Sequence, residues 1–166
     1  MQSIDLIRDN MKKSTNRVLK RVEDLRDSAT VFPTPKGGCH ALWLIGHLAY
    51  SEQQVIQGMM LGEENPRAEW KGLFGHGTEA NNDAGEYPPF EEVLAECRKV
   101  REATTTLLDS YSEDDLDRAS ANVPEGYEST FGTYRLCLQF AADHWYMHRG
   151  QLADARRAAG MERAGM

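Results

Sequence analysis

Two histidines, His144 and His148, stand one helical turn apart in "DHWYMHRG". On a helical wheel of about 100° per residue they share a side with Cys137, Phe140, Ala141, Gln151, Leu152 and Ala155. Arg135, Gln139, Tyr146, Arg149 and Arg157 fall opposite. The pair therefore occupies the stripe that should pack inward. Side chains at i and i+4 have Cβ atoms roughly 5–6 Å apart. Two imidazoles so placed can converge on one ion at metal–nitrogen distances of about 2.0–2.1 Å. The stripe also poses a physical problem, because two adjacent imidazoles in a dry core cannot both be cationic at low cost. A divalent cation resolves it by taking one nitrogen from each neutral ring, which leaves the other N–H for an acceptor.

A third ligand is available in "LIGHLAY". His47 lies in the most apolar half of the second helical segment, at the flank of its main stripe. Three histidines with open positions describe a reactive metal site, not a closed structural one. Spacing alone leaves a blander arrangement open, in which His144 and His148 bond each other, a water and a backbone carbonyl. Trp145 stands where the zinc-protease motif has glutamate, so that chemistry loses its general base. His40 and His76 flank loops and are expected at the surface. No residue stands out as a general acid or base.

Around His47, Trp43 and Tyr50 fall on the same helix side and can line a pocket or simply fill the core. Glu52 falls on the apolar stripe with Leu48 and Met59, where an unpaired carboxylate is costly. Its expected partner is either a ligating imidazole or an arginine. Cys137 precedes His144 by two turns on the buried face and is expected to behave as a small hydrophobe.

Four helical segments must position these residues. Ile4, Ile7, Met11, Thr15, Val18, Val22 and Leu25 trace the first, roughly 3–27, with Ser3 as its expected N-cap. "SATVFPTPKGG" breaks it. The second runs roughly from Cys39 to Leu61, with Ala41, Leu44, Leu48, Val55 and Met59 as its stripe. The third starts near Pro89, a residue suited to the first helical position, and buries Val93, Cys97, Val100, Thr104, Leu107 and Tyr111. "SEDDL" from Ser112 is expected to be a short capped turn. The last helix runs roughly from Gly132 to Ala159. The connection "GEENPRAEWKGLFGHGTEANNDAGEYPP" is long enough to cross the length of a bundle, which permits parallel neighbours. The expectation is a single all-α domain over residues 1–166, a four-helix bundle with long crossover connections.

Composition excludes several classes. Apolar residues make up 40% and charged residues 27%, which is an ordinary globular balance. No apolar run approaches the ~18–20 residues that span a bilayer, so no membrane partner is expected. No signal-peptide pattern opens the chain, and the odd count of three cysteines contains no C-x-x-C. The expected compartment is the cytoplasm. A net charge of −7 argues against nucleic acid as a partner. The one basic cluster, Arg149, Arg156, Arg157 and Arg163, suits the negative end of a helix dipole.

"GHLAYSE" and "DHWYMHRGQLADARRAAGM" resemble the DinB-like (DinB/YfiT) superfamily, and "LFGHGTEANNDAGEYPPFEEVLAECRKVREAT" is similar to a common variety of it. The resemblance covers nearly the whole chain, and "HRGQL" after H-x-x-x-H is its most specific part. It implies an up-down-down-up four-helix bundle, often a homodimer. It also implies a divalent metal, zinc or nickel among others, held by three histidines at the positions of His47, His144 and His148. Characterised relatives include S-transferases that use low-molecular-weight thiols and a thiol-dependent isomerase. The expected function is a metal-dependent enzyme acting on a small-molecule substrate, with a thiol S-transferase or a metal-activated hydrolase as the reaction. Competing with it are a non-catalytic metal-binding or stress-response bundle and a metal-free bundle. An open coordination position beside a cavity would favour the enzyme.

Overall fold

A computed structural model describes residues 2–162. Arg163, counted above in the basic cluster, lies outside the described residues.

The periodic stripes form helices where their spacing predicts them. Helix α1 (Ser3–Asp24) buries Ile4, Ile7, Met11, Val18 and Val22. Its cap is Gln2 and not Ser3, with the Asp5 carboxylate accepting from the Gln2 backbone N–H at 3.2 Å. Ser3 opens the helix itself, and its hydroxyl meets Glu113 and Arg135. Helix α2 (Ala41–Gln53) is buried continuously from Ala41 to Tyr50. It passes without a break into a π-helical segment (Gln54–Leu61) that ends at Gly62, where φ is +76°. A positive φ there suits only glycine at low cost. Apolar periodicity does not announce this change of hydrogen-bond register.

Helix α3 (Lys71–Phe74) is one turn inside the long connection. Helix α4 (Phe90–Asp109) starts one residue after Pro89, which serves as its cap, and places Glu91 and Glu92 in the first turn. The Ser112 hydroxyl and the Asp115 carboxylate cap each other's backbone N–H groups, forming the expected turn before the 3₁₀ segment Asp114–Asp117. The short α5 (Glu128–Phe131) leads into α6 (Tyr134–Ala158), capped by the Thr133 hydroxyl accepting from the Leu136 N–H.

Side-chain pairs fix the helix directions. Ser3 meets Arg135 at one end of α1 and Asp24 meets Arg156 at the other, so α1 and α6 run parallel. Arg8 pairs with Asp109 and Glu23 with Arg98, so α1 and α4 are antiparallel. The start of α2 packs in one cluster with Leu152 and Ala155, while Val55 and Met60 beyond its end pack in another with Cys137 and Leu138, so α2 and α6 are also antiparallel. The order is up-down-down-up, and the connection between α2 and α4 returns the chain to the same end. That connection is not a bare crossover. Trp70, Phe74 and Tyr87 are buried from it against the α2–α4 end of the core.

A second apolar cluster, from Ile4, Met11, Val55, Met60, Leu108, Leu116 and Leu138, fills the opposite end. The histidines lie where the two clusters meet. No helix among the described residues is long and apolar enough to cross a membrane.

Candidate metal centre

His47 projects from α2 and His144 and His148 project from α6. All three are buried, at 7%, 7% and 5% exposure. One nitrogen of each lies within 4.8 Å of the others, so the set could hold a metal ion. The Nε2 atom of His144 is 3.3 Å from Nε2 of His47 and 2.9 Å from Nε2 of His148.

The surroundings decide which nitrogens face inward as lone pairs. His47 Nδ1 lies 2.8 Å from the backbone carbonyl of Phe74. A carbonyl only accepts, so Nδ1 carries the hydrogen and Nε2 of the neutral ring is bare. His148 Nδ1 faces the Gln151 side-chain oxygen, and the same logic bares its Nε2. Two lone pairs therefore point at His144 Nε2, which has at most one hydrogen to donate. One lone pair is left over if His144 carries its hydrogen on Nε2, and three face one another if it carries it on Nδ1. A cation accepted by all three nitrogens removes the conflict, and the donor set of neutral imidazoles suits a divalent transition metal. Electrostatics favour the same state. Burial pushes His47 down to about 4, opposed by its bond to Phe74, and pushes His144 down to about 2 with help from the neighbouring imidazoles. Burial also lowers His148, partly offset by Gln151. The rings are neutral, and so ready to ligate, at ordinary pH.

Local sequence explains this placement. Gly46 lets the Phe74 ring lie directly on α2, since a Cβ there would fall 2.2 Å from Phe74 Cε1. That close approach carries the Phe74 carbonyl to His47. Trp43 stacks on the His47 ring at 4.6 Å and 10°, while its indole N–H donates to the Leu73 carbonyl at 3.0 Å. Phe140 stacks on His144 at 5.1 Å.

A cavity of about 310 Å³ opens beside His47 and His144, with Ser51, Gln54, Val55, Met59, Phe131 and Phe140 among its walls. His148 lies behind these two and does not reach it. Neither Trp43 nor Tyr50 lines this cavity. Trp43 is turned into the core behind His47, and Tyr50 faces a separate groove beside Asn65. Helix position put these residues on one side, but the covering connection separates their environments.

Glu52 takes the arginine partner and not an imidazole. Its Oε2 accepts from Arg101 Nη2 and from Trp145 Nε1, both at 2.8 Å, and the Arg101 guanidinium lies 4.1 Å from the Trp145 ring centroid. This buried pair lies next to the centre in the core but does not bond to a ligand ring.

His40, expected at the surface, is fully buried. Its Nδ1 accepts from the Trp43 N–H at 3.1 Å, capping α2, and its Nε2 faces the Asn81 carbonyl at 2.5 Å. His76 is exposed as expected, yet it also lines the cavity. A lone histidine in "LFGHGTEAN" carries no periodic signal, so its position could not be read from spacing. Cys137 and Cys97 are buried, and burial raises both thiols above their ordinary range. The chain thus holds neither of them as a thiolate nucleophile.

These features define a class, an all-helical bundle with a buried three-histidine centre opening on a cavity. Within it the chain belongs to the DinB superfamily, whose family model matches residues 10–152 and so includes all three histidines. A comparison with curated proteins finds no match.

Proposed function

We propose that this chain is a divalent-metal-dependent enzyme acting on small molecules, with His47, His144 and His148 holding the ion. The preferred reaction is S-transfer from a low-molecular-weight thiol, with hydrolysis by water as the alternative at the same centre. One observation carries the reading. Three buried imidazoles bring a ring nitrogen each within 4.8 Å of the others, and two of them form part of a cavity wall.

An ion there, zinc or nickel as the resemblance implies, would act as a Lewis acid and lower the pKa of a thiol or water bound to it. The chain's own residues do the rest. Phe74 and Gln151 accept from the outer nitrogens of His47 and His148, which holds each ring in one orientation and raises its basicity. Burial keeps protons from competing for the inner nitrogens. Burial raises all three thiols, Cys39, Cys97 and Cys137, and none lines the cavity, so the nucleophile is supplied from outside. The cavity's contact with His47 and His144 supports an enzyme over a bundle merely stapled by metal. A homodimer in the cytoplasm, with small molecules as partners, completes the proposal.

Elemental analysis of the purified protein beside His144→Ala tests it. About one equivalent of zinc or nickel in the wild type, lost in the variant, is the expected result, followed by metal-dependent consumption of thiol with an electrophile. Negligible metal in both samples after growth with added zinc and nickel would leave the metal-free bundle.

A further inference from the structure

The walls of the cavity have a chemistry of their own. From the histidines outward, His144 stacks on Phe140, Phe140 meets Phe131 edge to face at 5.0 Å, and Phe131 stacks with Tyr127 at 6.2 Å and 25°. This aromatic row runs from the buried centre to the surface, where Tyr127 is 55% exposed. An exposed tyrosine ring is ordinary when isolated, but this one ends a continuous wall.

The opposite wall comes from the π-helical segment. Its hydrogen bonds reach one residue further than those of an α-helix, and π segments are found often at functional sites. Here Gln54, Val55 and Met59 of this segment all face the cavity. No lysine, arginine, aspartate or glutamate lines it among the described residues. Glu125 and Glu128, neighbours of Tyr127 in the chain, are exposed, and exposed His76 also lines the cavity.

A carboxylate or phosphate lodged between these walls would lose its hydration and meet no cationic lysine or arginine, so an anionic group finds a partner only at the histidine end. An uncharged ring would bury apolar area on both walls and stack on the aromatic row. We infer that the cavity selects a flat, apolar small molecule, an aromatic compound being the best fit, with an uncharged ring against Phe131 and Phe140 and its reacting end toward His47 and His144. The inference rests on the metal-centre reading above for the meaning of that last contact. A volume of about 310 Å³ lies at the small end of ligand pockets and suits one or two fused rings.

The test uses 1-naphthylamine, a flat two-ring dye that is uncharged at neutral pH and whose fluorescence responds to its surroundings. It is titrated into the protein and competed with 2-naphthol and with decahydro-2-naphthol, its non-aromatic counterpart. The expected result is saturable binding of the dye, displacement by 2-naphthol, and at least tenfold weaker competition by decahydro-2-naphthol. Met59→Trp, which fills the cavity, should weaken dye binding at least tenfold. Tyr127→Ala, at an exposed position that cannot disturb the core, should weaken it several-fold. Equal competition by decahydro-2-naphthol, or dye binding unchanged in both variants, overturns the inference. Metal content measured on the same samples separates the two readings. Stoichiometric metal without dye binding overturns the cavity inference alone. Dye binding that responds to both variants in metal-free protein upholds the cavity's selectivity and overturns the metal reading.

Discussion

The backbone carbonyl of Phe74 lies 2.8 Å from Nδ1 of His47, so a residue of the long connection holds a ring that α2 presents. Phe74 reaches it because Gly46 leaves room for the phenyl ring. Gly46→Ala should therefore act at a distance. Its Cβ would overlap ring atoms 2.2–2.5 Å away, which forces Phe74 outward. Overpacking of this kind costs about 1–3 kcal/mol, and loss of an outer-nitrogen partner lowers metal affinity roughly 10–100-fold. Urea denaturation and competition with a chelating dye measure the two effects. Full affinity in Gly46→Ala would show that the carbonyl does not matter.

Acid should destabilise the metal-free protein earlier than carboxylates alone would. Burial lowers His40, His47, His144 and His148 from 6.5, to about 4 for His47 and about 2 for His144. As pH falls, the unfolded chain takes up these protons first, so folding is weakened. Stability is full above about 6.5 and declines as pH drops toward the folded-state values. Glu96 and Glu113, also lowered, join only below their ordinary 4.5. Between pH 6.5 and 4.5 the loss should be on the order of a few kcal/mol. Urea midpoints of chelator-treated protein across that window report it, and a flat profile would contradict neutral buried imidazoles.

The Glu52–Arg101 pair should matter for folding and not for metal. Both side chains are nearly inaccessible, at 2% and 4% exposure. Removing one partner strands a buried charge, so Glu52→Ala or Arg101→Ala should each cost about 3–5 kcal/mol. Glu52→Leu combined with Arg101→Met should recover much of that loss, because apolar replacement removes both charges together. A double-mutant cycle in denaturant gives the coupling. Metal content should stay unchanged in every variant that folds, and its loss would place Glu52 in the support of the centre after all.

His40 should behave as a cap. His40→Ala removes the acceptor for the Trp43 N–H and should cost about 1–2 kcal/mol, while His40→Asn should restore part of it. Neither change should alter the metal content. Thermal melts with elemental analysis check both statements, and metal loss on mutating His40 would make it a ligand.

What could be known from the chain alone is what depends on near neighbours. Helical geometry couples residues three and four apart, so His144 and His148 were bound to be neighbours, and the stripes of α1, α4 and α6 were legible from apolar spacing. His47 stood out as an imidazole in an apolar helix, and the DinB pattern joined it to the other two. Tertiary structure decided everything that needed a distant partner. It chose Arg101 for Glu52, brought the Phe74 carbonyl to His47, buried His40 under Asn81, and turned Tyr50 away from the cavity. It also set the aromatic wall, whose members come from α5, α6 and the loop before them. Spacing fixes which face a residue occupies, but what that face meets depends on contacts tens of residues away, and the chain carries no local periodicity for those.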